Sequence, residues 1–448
     1  MGEINEREIV YDMLLEFDRG GTNSTAVTFG MLRKYAYLEK RARAFISRVF
    51  KGVLENRIYL DYVIDRYSVT DSSKLKRQMK NILEIGAYQI LMMDQVPDGA
   101  AVNEAVNMTK SHGFGRLSGF TNGVLRAIAR EKGAIELPDS FSDPAQYISV
   151  KYSLPRWLTD MWLEEYGIEE LSKMGEFMLR ERPISLRVRN TEKMDKIQGA
   201  LMAQGITVEP GNIFPDVIKI SGFDTLVSIK SFAEGELVVQ DESSMIPAAA
   251  AGVQKGARVL DICAAPGGKT IQVADILGGT GSICARDISG SRSERIEENA
   301  ARTGLSDIRI ELRDALKYYE EDEEAYDVVL ADLPCSGLGV IGRKPDIKAN
   351  ATPEKIKELA GLQKLMLSNA WHYVKHGGVL IYSTCTLTRE ENEENVRWLL
   401  NNFPLEAVSM DDQLPEKLKN DETAHGILKV MPGEFDSDGF FICKVRRK

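Results

Sequence analysis

The sequence predicts a multidomain chain with an all-helical first domain, a small α+β module and a doubly wound α/β domain. Apolar residues recur at helical spacing through residues 1–133, and a mixed pattern of helices and strands follows. From Gln240 onward strands and helices alternate, which is typical of a parallel sheet with helices on both faces. We therefore place the domains at residues 1–135, 150–235 and 236–448, which suits the length of 448 residues.

The first domain is predicted to consist of helices joined by short turns. Five stretches carry the helical periodicity: 9–17, 42–53, 75–93, 101–108 and 122–129. Groups of glycine, proline and polar residues interrupt the apolar pattern at 20–23, 97–99 and 112–115. A polar linker at 136–144 marks the end of this domain.

The middle module is predicted to combine helices with two strands. Its elements in chain order are helices at 158–166 and 171–179, a strand at 184–189, a helix at 192–203 and a strand at 217–220. Four arginines lie close together in sequence here, namely Arg180, Arg182, Arg187 and Arg189. Arginines on the polar face of a strand suit contacts with nucleic-acid phosphates or bases, and surface solubility is the alternative.

The third domain carries five predicted strands separated by helical stretches. These strands are 258–263, 282–287, 308–312, 327–332 and 379–383. In an open parallel sheet, ligands bind in the crevice outside the carboxyl ends of the strands. Residues that follow these strands are therefore the first candidates for a functional site.

The charge of the chain is distributed unevenly. The net charge is −10, which taken alone argues against a polyanionic partner, yet residues 1–135 carry 20 Lys and Arg against 16 Asp and Glu. The cations form two runs: Arg33, Lys34, Lys40, Arg41, Arg43, Arg48 and Lys51, and then Lys74, Lys76, Arg77 and Lys80. A single run could be a solvated helix face, but two runs in one domain of an acidic chain favour contact with RNA phosphates.

Composition argues against several classes of protein. The five cysteines show no C-x-x-C spacing and no close histidine, so we expect neither a metal site nor a disulfide framework. The N-terminus lacks the basic segment of a signal peptide, and no run approaches the roughly 18 apolar residues that a membrane span needs. We expect reduced thiols, a cytoplasmic location and no membrane partner.

A glycine-rich loop follows the first strand of the third domain and opens a helix. It runs from Cys263 to Lys269 as Cys-Ala-Ala-Pro-Gly-Gly-Lys, and its small residues let a ligand approach the backbone at the positive end of the helix. A Walker A loop would need glycine at position 263, and the G-x-G-x-x-G pattern is absent. The loop therefore predicts a ligand other than a hydrolysed nucleoside triphosphate, with a tight structural turn as the alternative.

Acidic residues fall at the ends of successive predicted strands. Asp287, Asp314 and Asp332 follow the second, third and fourth strands, and Asp261 lies in the first. A carboxylate after the second strand suits the hydroxyl groups of a ribose. One such aspartate could be an ordinary cap, but several along one sheet edge predict a crevice for a nucleoside cofactor.

Two cysteines also follow predicted strands. Cys335 lies in Asp-Leu-Pro-Cys-Ser-Gly and Cys385 in Tyr-Ser-Thr-Cys, so both thiols are expected at the ligand crevice, where a thiolate can act as a nucleophile. Cys263, Cys284 and Cys443 lie within apolar strands and are more typical of core residues.

The helical domain resembles a known family of RNA-binding domains. The residues that carry the resemblance are 82–91, 96–97, 102–106, 110 and 120–126. They are similar to the NusB family of antitermination domains, which implies an RNA-binding role for this part of the chain.

The third domain resembles the S-adenosylmethionine-dependent RNA 5-methylcytosine methyltransferases, which have a Rossmann-like fold. The ordered motifs are 240–244, 261–270, Asp287 with Arg292 and Asn299, Asp314, 332–337, 345–348 and 382–385. Together with the NusB-like domain, they make essentially the whole chain similar to the bacterial 16S rRNA enzymes of the RsmB (Sun) type.

The resemblance implies a cofactor and roles for individual residues. It implies Cys385 as the nucleophile, Cys335 as the residue that assists product release, and 16S rRNA as the partner. It further implies that S-adenosylmethionine is bound by Cys263, Ala264, Ala265, Pro266, Gly267, Gly268, Lys269, Asp287, Asp314 and Asp332.

The chemistry of cytosine agrees with these roles. Carbon 5 is a poor nucleophile, so a thiolate must first add to carbon 6. Residue types alone indicate only two thiols at one crevice, and related DNA enzymes attack from the Pro-Cys position that Cys335 occupies. The alternatives are the same reaction on tRNA or 23S rRNA, and a non-catalytic RNA-binding assembly factor. Three cations after the Pro-Cys loop, Arg343, Lys344 and Lys348, could hold the RNA backbone or form a solvated lip.

Overall fold

The chain forms two compact units in a computed structural model that describes residues 5–21 and 23–448. One unit comprises Met1–Arg180 with Ile341–Asn350, and the other comprises Glu181–Val340 with Ala351–Lys448. Residues 1–4 and Thr22 lie outside the described residues. The first four belong to the N-terminus whose lack of a basic segment supported the predicted location, and Thr22 belongs to the predicted break at 20–23. No helix among the described residues is long and apolar enough to cross a membrane.

The first unit is helical, as the periodicity predicts. Its main helices are α1 (Glu6–Asp18), α2 (Ser24–Lys34), α3 (Lys40–Tyr67), α4 (Arg77–Met92), α5 (Asp98–Ser111), α6 (Ser118–Glu131), α7 (Pro144–Tyr152) and α8 (Arg156–Leu179). The side chains of Asn5 and Asn23 cap α1 and α2 by accepting backbone N–H groups. A Cβ on Gly52 would overlap the Tyr88 ring, so glycine permits the close approach of α3 and α4.

Several helices of this unit differ from the prediction. The sequence did not indicate α7, and α3 continues to Tyr67, well beyond the predicted stretch 42–53. The sequence did not indicate α2, because only Ser24, Val27 and Met31 are buried and the apolar pattern is correspondingly weak. The helices predicted at 158–166 and 171–179 are joined as α8, with a kink at Gly167, whose φ is 74°.

The second unit begins with a four-stranded antiparallel sheet. Its elements are β1 (Ile184–Val188), α9 (Met194–Met202), β2 (Thr207–Pro210), β3 (Val217–Ser221), α10 (Lys230–Ala233) and β4 (Leu237–Val239). The strand order β2-β3-β1-β4 is that of a β-α-β-β-α-β motif. The sequence did not predict β2, which is mostly exposed, or the three-residue β4, which lies beyond residue 235 and pairs with β1.

An eight-stranded sheet forms the rest of the second unit. Its strands are β5 (Arg258–Asp261), β6 (Ser282–Asp287), β7 (Ile308–Leu312), β8 (Tyr326–Asp332), β9 (Val374–Thr384), β10 (Leu405–Ala407), β11 (Ile427–Val430) and β12 (Phe440–Arg447). The later helices of the chain are α11 (Glu242–Ala250), α12 (Gly268–Leu277), α13 (Gly290–Arg302), α14 (Ile347–Asn350), α15 (Pro353–Ala370), α16 (Glu393–Asn402) and α17 (Asp421–Ala424).

The order of this sheet confirms the doubly wound fold and adds an antiparallel part. The order is β10-β12-β9-β8-β5-β6-β7, and the five predicted strands are parallel to one another. β12 runs antiparallel to β9, β10 and β11, so the sheet is mixed rather than purely parallel. From β5 the chain adds β6 and β7 on one side, and it then adds β8 and β9 on the other side. The switch point of the topology therefore lies between β5 and β8, which is where such sheets bind ligands.

Three of the four arginines clustered in the middle module have a structural role, which corrects the prediction of RNA contacts for those three. Arg187 and Arg189 both pair with Asp275 of α12, at 2.8 and 2.7 Å. Arg182 pairs with Asp438 at 2.7 Å, and both side chains are buried. These guanidinium groups are therefore engaged within the second unit and cannot bind phosphates without breaking buried ion pairs.

Lys348 is likewise not available to RNA. The segment 341–350 belongs to the helical unit, where Lys348 Nζ donates to the backbone carbonyls of Glu55 and Tyr152 at 2.8 and 3.3 Å. Ser24 Oγ donates to Asp346 at 2.5 Å in the same region. Burial lowers the pKa of Lys348 to about 8. The prediction that Lys348 holds the RNA backbone is therefore wrong.

Candidate active site

The glycine-rich loop joins the end of β5 to the start of α12. Gly267 caps the helix with a φ of 101°, a conformation that side chains rarely allow. A Cβ at this position would lie 3.4 Å from Ile296 Cγ2 of α13. Glycine at 267 thus allows the left-handed turn with which the loop enters α12.

Asp287 connects the end of β6 to this loop. Its carboxylate accepts the N–H of Ala265 at 3.4 Å and the N–H of Ser289 at 3.1 Å, and it pairs with Arg292 at 3.2 Å. Asn299 of α13 supports the same loop by donating to the carbonyl of Pro266 at 3.0 Å. Carboxylate oxygens have further acceptor capacity, so Asp287 retains the chemistry needed to bind ribose hydroxyl groups.

Asp261 lies beneath the loop as a buried acid. Its Oδ2 accepts the hydroxyl of Thr270 at 2.7 Å, while its Oδ1 is buried without a hydrogen-bond partner among the described residues. Burial is the main cause that raises the pKa of Asp261 to about 6. A buried acceptor without a partner, at the end of a strand beside a glycine-rich loop, fits a site that binds a polar ligand.

Lys269 links the loop to the strand that leads to Cys335. Its Nζ donates to Asp332 Oδ2 at 2.7 Å and contacts Ser244 Oγ at 2.9 Å. The other oxygen of Asp332 accepts the hydroxyl of Ser383 at 2.9 Å. Lys269 therefore fixes Asp332 between the loop and β9.

Asp314 stands apart from this network. Its Oδ1 accepts the N–H of Leu316 at 3.0 Å, and its own N–H donates to the Tyr319 hydroxyl at 3.2 Å. Among the described residues, no hydrogen bond or ion pair joins Asp314 to the other predicted site residues. It follows β7 on the same sheet edge, and its cofactor role stays a prediction.

The two predicted active-site cysteines lie next to each other. Strand pairing places Asp332 of β8 opposite Ser383 of β9, so the segments that follow leave the sheet side by side. The sulfur atoms of Cys335 and Cys385 are 3.3 Å apart, and both residues are half-buried. The sequence predicted two thiols at one crevice, and the structure brings them into contact.

The environment of Cys335 favours the neutral thiol. Its pKa is well above the ordinary value because of the hydrogen bond with Cys385, burial, and the nearby charges of Glu391 and Asp332. Cys284 and Cys443 are buried in the core as predicted, and burial raises the pKa of each. Cys263 was also expected within a strand of the core, but β5 ends at Asp261, so Cys263 begins the glycine-rich loop and is half-buried. Burial likewise raises its pKa.

Sequence reasoning missed the polar residues that hold the two cysteine loops together. Glu391, in the loop between β9 and α16, accepts hydrogen bonds from Ser336 and from Gln363 of α15. In sequence it is one of several acids near the start of a helix, and only its tertiary burial distinguishes it. No group of three or more metal-ligating side chains that could hold a metal occurs in the part of the chain that the structure describes.

Three segments of the chain match known families. Residues 249–446 match the family described as 16S rRNA methyltransferase RsmB/F, and residues 4–130 match the NusB family. Residues 154–225 match the ferredoxin-like domain of the RsmF/B-like methyltransferases. These matches confirm the resemblances noted from the sequence motifs.

Full-length relatives give the same result. A probable ribosomal RNA small subunit methyltransferase B of Bacillus subtilis (strain 168) is 34% identical over 100% of both chains. The protein of the same description from Synechocystis sp. is 30% identical over 99% of this chain and 100% of the relative.

Two solved structures share the fold. The crystal structure of PH0851 superposes with a TM-score of 0.82 and 25% identity, covering 99% of both chains. A methyltransferase homolog from Pyrococcus horikoshii superposes with a TM-score of 0.57 and 27% identity over 67% of this chain and 98% of its own.

Proposed function

The chain belongs to the 16S rRNA methyltransferase RsmB/F family, and from this premise we propose that it methylates carbon 5 of a cytosine in 16S rRNA. The proposed methyl donor is S-adenosylmethionine. The observation that carries the proposal is the contact between the thiols of Cys335 and Cys385, which lie 3.3 Å apart after the paired strands β8 and β9. Two thiols in contact suit a reaction in which one adds to a base and the other assists its release.

The residues around the loop fit S-adenosylmethionine. The cofactor has a ribose diol, for which Asp287 offers acceptors, and a polar amino-acid end, for which the backbone N–H groups at the N-terminus of α12 are suited. Asp261 supplies the buried carboxylate oxygen without a partner. When bound, the cofactor would supply an electrophilic methyl group. Cys263 to Lys269, Asp287, Asp314 and Asp332 are the residues that we propose hold it.

Cys385 is the proposed nucleophile. Its thiolate forms a bond to carbon 6 of the cytosine, and the electron pair of the carbon 5–carbon 6 double bond becomes available at carbon 5 to accept the methyl group. Loss of the proton from carbon 5 then restores the double bond as the bond between sulfur and carbon 6 breaks. Cys385 leaves as a thiolate and is ready for another turnover.

Cys335 is the proposed release residue. The hydrogen bond with Cys385 is the largest cause of the raised pKa of Cys335, which makes the Cys335 thiol the donor and the Cys385 sulfur the acceptor. Cys335 loses this acceptor once the Cys385 sulfur is bonded to carbon 6 and is no longer negatively charged. Its pKa therefore falls at the stage when a base is needed to take the proton from carbon 5. Proton removal by Cys335 is thus consistent with attack by Cys385, the assignment that the family resemblance implies.

Bisulfite sequencing tests this function directly. The 16S rRNA of a strain that lacks the protein should lose one 5-methylcytosine, while tRNA and 23S rRNA keep theirs. Loss of a mark from tRNA or 23S rRNA instead would redirect the substrate. An unchanged methylation pattern in all three would leave the chain as a non-catalytic RNA-binding factor and overturn the proposal.

Two substitutions test the cofactor site. Gly267→Val places a side chain where φ is 101°, and Asp287→Ala removes the acceptor that joins β6 to the loop. Each should weaken binding of S-adenosylmethionine by about tenfold or more without unfolding the protein. Titration calorimetry measures the affinity, with the exposed Asp307→Ala as a matched control. Unchanged affinity in a folded variant would contradict the assignment.

The basic surface of the helical unit is testable by charge removal. Arg33, Lys34 and Arg41 are exposed, and replacing all three with glutamine should weaken RNA binding. If all three contact phosphates, the slope of log affinity against log salt should fall by about 2. Substitution is preferable to deletion of residues 1–135, because Lys348 and Ser153 hydrogen-bond to α3.

The control for this experiment removes three exposed lysines elsewhere, Lys196, Lys230 and Lys255. This triple glutamine variant carries the same change in net charge. If both triple variants lose affinity and salt dependence equally, the effect comes from net charge alone. The helical unit would then have no specific part in holding RNA.

A further inference from the structure

Glu391 is a fully buried carboxylate in the loop that follows Cys385. Its relative exposure is 0%, and no ion pair with it occurs among the described residues. Its backbone carbonyl accepts the hydroxyl of Tyr382 in β9, which anchors the loop to the sheet. A buried carboxylate without a cation is costly unless several donors satisfy it.

Four neutral donors satisfy this carboxylate. Oε1 accepts the backbone N–H of Ser336 at 2.8 Å and Nε2 of Gln363 at 3.1 Å. Oε2 accepts the hydroxyl of Ser336 at 2.5 Å and that of Thr388 at 2.7 Å. Both carboxylate oxygens thus hold Ser336, the residue that directly follows Cys335.

Two neighbouring contacts strengthen the same connection. Gln363 Nε2 also donates to the carbonyl of Pro334 at 3.0 Å, so α15 holds the residue on the other side of Cys335. The hydroxyl oxygens of Ser336 and Thr386 are 2.6 Å apart, which joins the residues that follow each cysteine. Glu391 is at the centre of a network that ties the Cys335 loop to the Cys385 loop.

We propose that Glu391 is a positioning residue that holds the Cys335 loop so that the two thiols meet. This inference rests on the proposed function for its catalytic meaning, but the geometry it describes is a property of the protein alone. Glu391 does not touch the reacting atoms, because its carboxylate faces Ser336, Gln363 and Thr388 rather than either sulfur.

The charge of Glu391 has a second consequence. The titratable groups near Cys335 include Cys385, Glu391, Asp332 and the Tyr382 hydroxyl, and Asp332 is itself paired with Lys269. A buried negative charge disfavours a thiolate nearby, so it raises the pKa of Cys335. A neutral side chain of the same shape should lower that pKa.

Alkylation of Cys335 tests this without RNA or cofactor. In a Cys385→Ala background, the rate of reaction of Cys335 with iodoacetamide is followed against pH by peptide mass spectrometry. Glu391→Gln keeps the shape and a carbonyl acceptor, so the protein should fold. The midpoint of the profile should move down by roughly half a pH unit or more. The exposed Glu394→Gln is the matched control and should leave it unchanged.

Turnover gives the second readout. Glu391→Ala should lower kcat by about tenfold or more, with the KM for S-adenosylmethionine unchanged within about twofold, and a denaturation-resistant protein–RNA conjugate should accumulate. Glu391→Gln should restore part of the lost kcat. A purely structural role would lower the amount of folded protein without causing this trapping.

The two measurements separate the possible failures. An unshifted alkylation profile in Glu391→Gln, together with wild-type turnover in Glu391→Ala, would overturn the inference even if cytosine methylation is demonstrated. If the protein proves not to methylate cytosine, the alkylation profile still decides whether Glu391 controls Cys335.

Discussion

Replacing Cys385 with alanine is expected to abolish methyl transfer, with a loss of about four orders of magnitude or more. Without addition of sulfur to carbon 6, carbon 5 has no electron density with which to accept the methyl group. The same variant should form no covalent conjugate with RNA. Incorporation of labelled methyl groups into RNA and a denaturing gel measure both properties.

The counterpart variant, Cys335→Ala, should behave differently. It keeps the nucleophile, so it should attack and methylate but release slowly, and a conjugate should accumulate on the gel. The double variant Cys335→Ala/Cys385→Ala is the control and should trap nothing. The reverse pattern, in which Cys385→Ala traps RNA and Cys335→Ala does not, would assign the attack to Cys335, as in the related DNA enzymes.

The second large effect is expected at Asp332. Its carboxylate holds the Lys269 ammonium at 2.7 Å, and the two side chains are 29% and 10% exposed. Asp332→Ala would leave the Lys269 charge buried without its partner, so the free energy of unfolding should fall by about 2 kcal/mol. Activity should fall further than stability does, because the same pair joins the glycine-rich loop to the strand that leads to Cys335.

A double variant separates these two effects. Asp332→Leu/Lys269→Met replaces the ion pair with apolar side chains, which should recover much of the lost free energy of unfolding. It should not recover methyl transfer. Urea denaturation and a methylation assay measure the two quantities. If the double variant regains activity together with stability, the pair has only a structural role.

The parallel part of the fold was predictable because its signals are local. The strands predicted at 282–287 and 308–312 have the same bounds in the structure, and small residues mark the loop before α12. Since parallel strands share a carboxyl edge, the sequence also predicted that Cys335 and Cys385 lie near each other. The contact between the two sulfur atoms could not be predicted, because it depends on the register between β8 and β9.

Other features depend on tertiary contacts that leave no local pattern. Lys348 resembles any cation after a loop, yet its ammonium lies against backbone carbonyls of the helical unit. Arg187 looks like a solvent-facing strand residue, but its partner, Asp275, lies 88 residues away in sequence. Glu391 is one acid among several, and only its burial against Ser336 reveals its role.

Release of tritium from carbon 5 tests the central claim most directly. RNA that carries tritium at carbon 5 of its cytosines is incubated with the protein and S-adenosylmethionine, and tritium in water is compared with methyl groups in RNA. Methylation at carbon 5 must displace the hydrogen there, so the account predicts one tritium released for each methyl group transferred. Methyl transfer with tritium retained would place the methyl group elsewhere on the nucleotide and contradict the account.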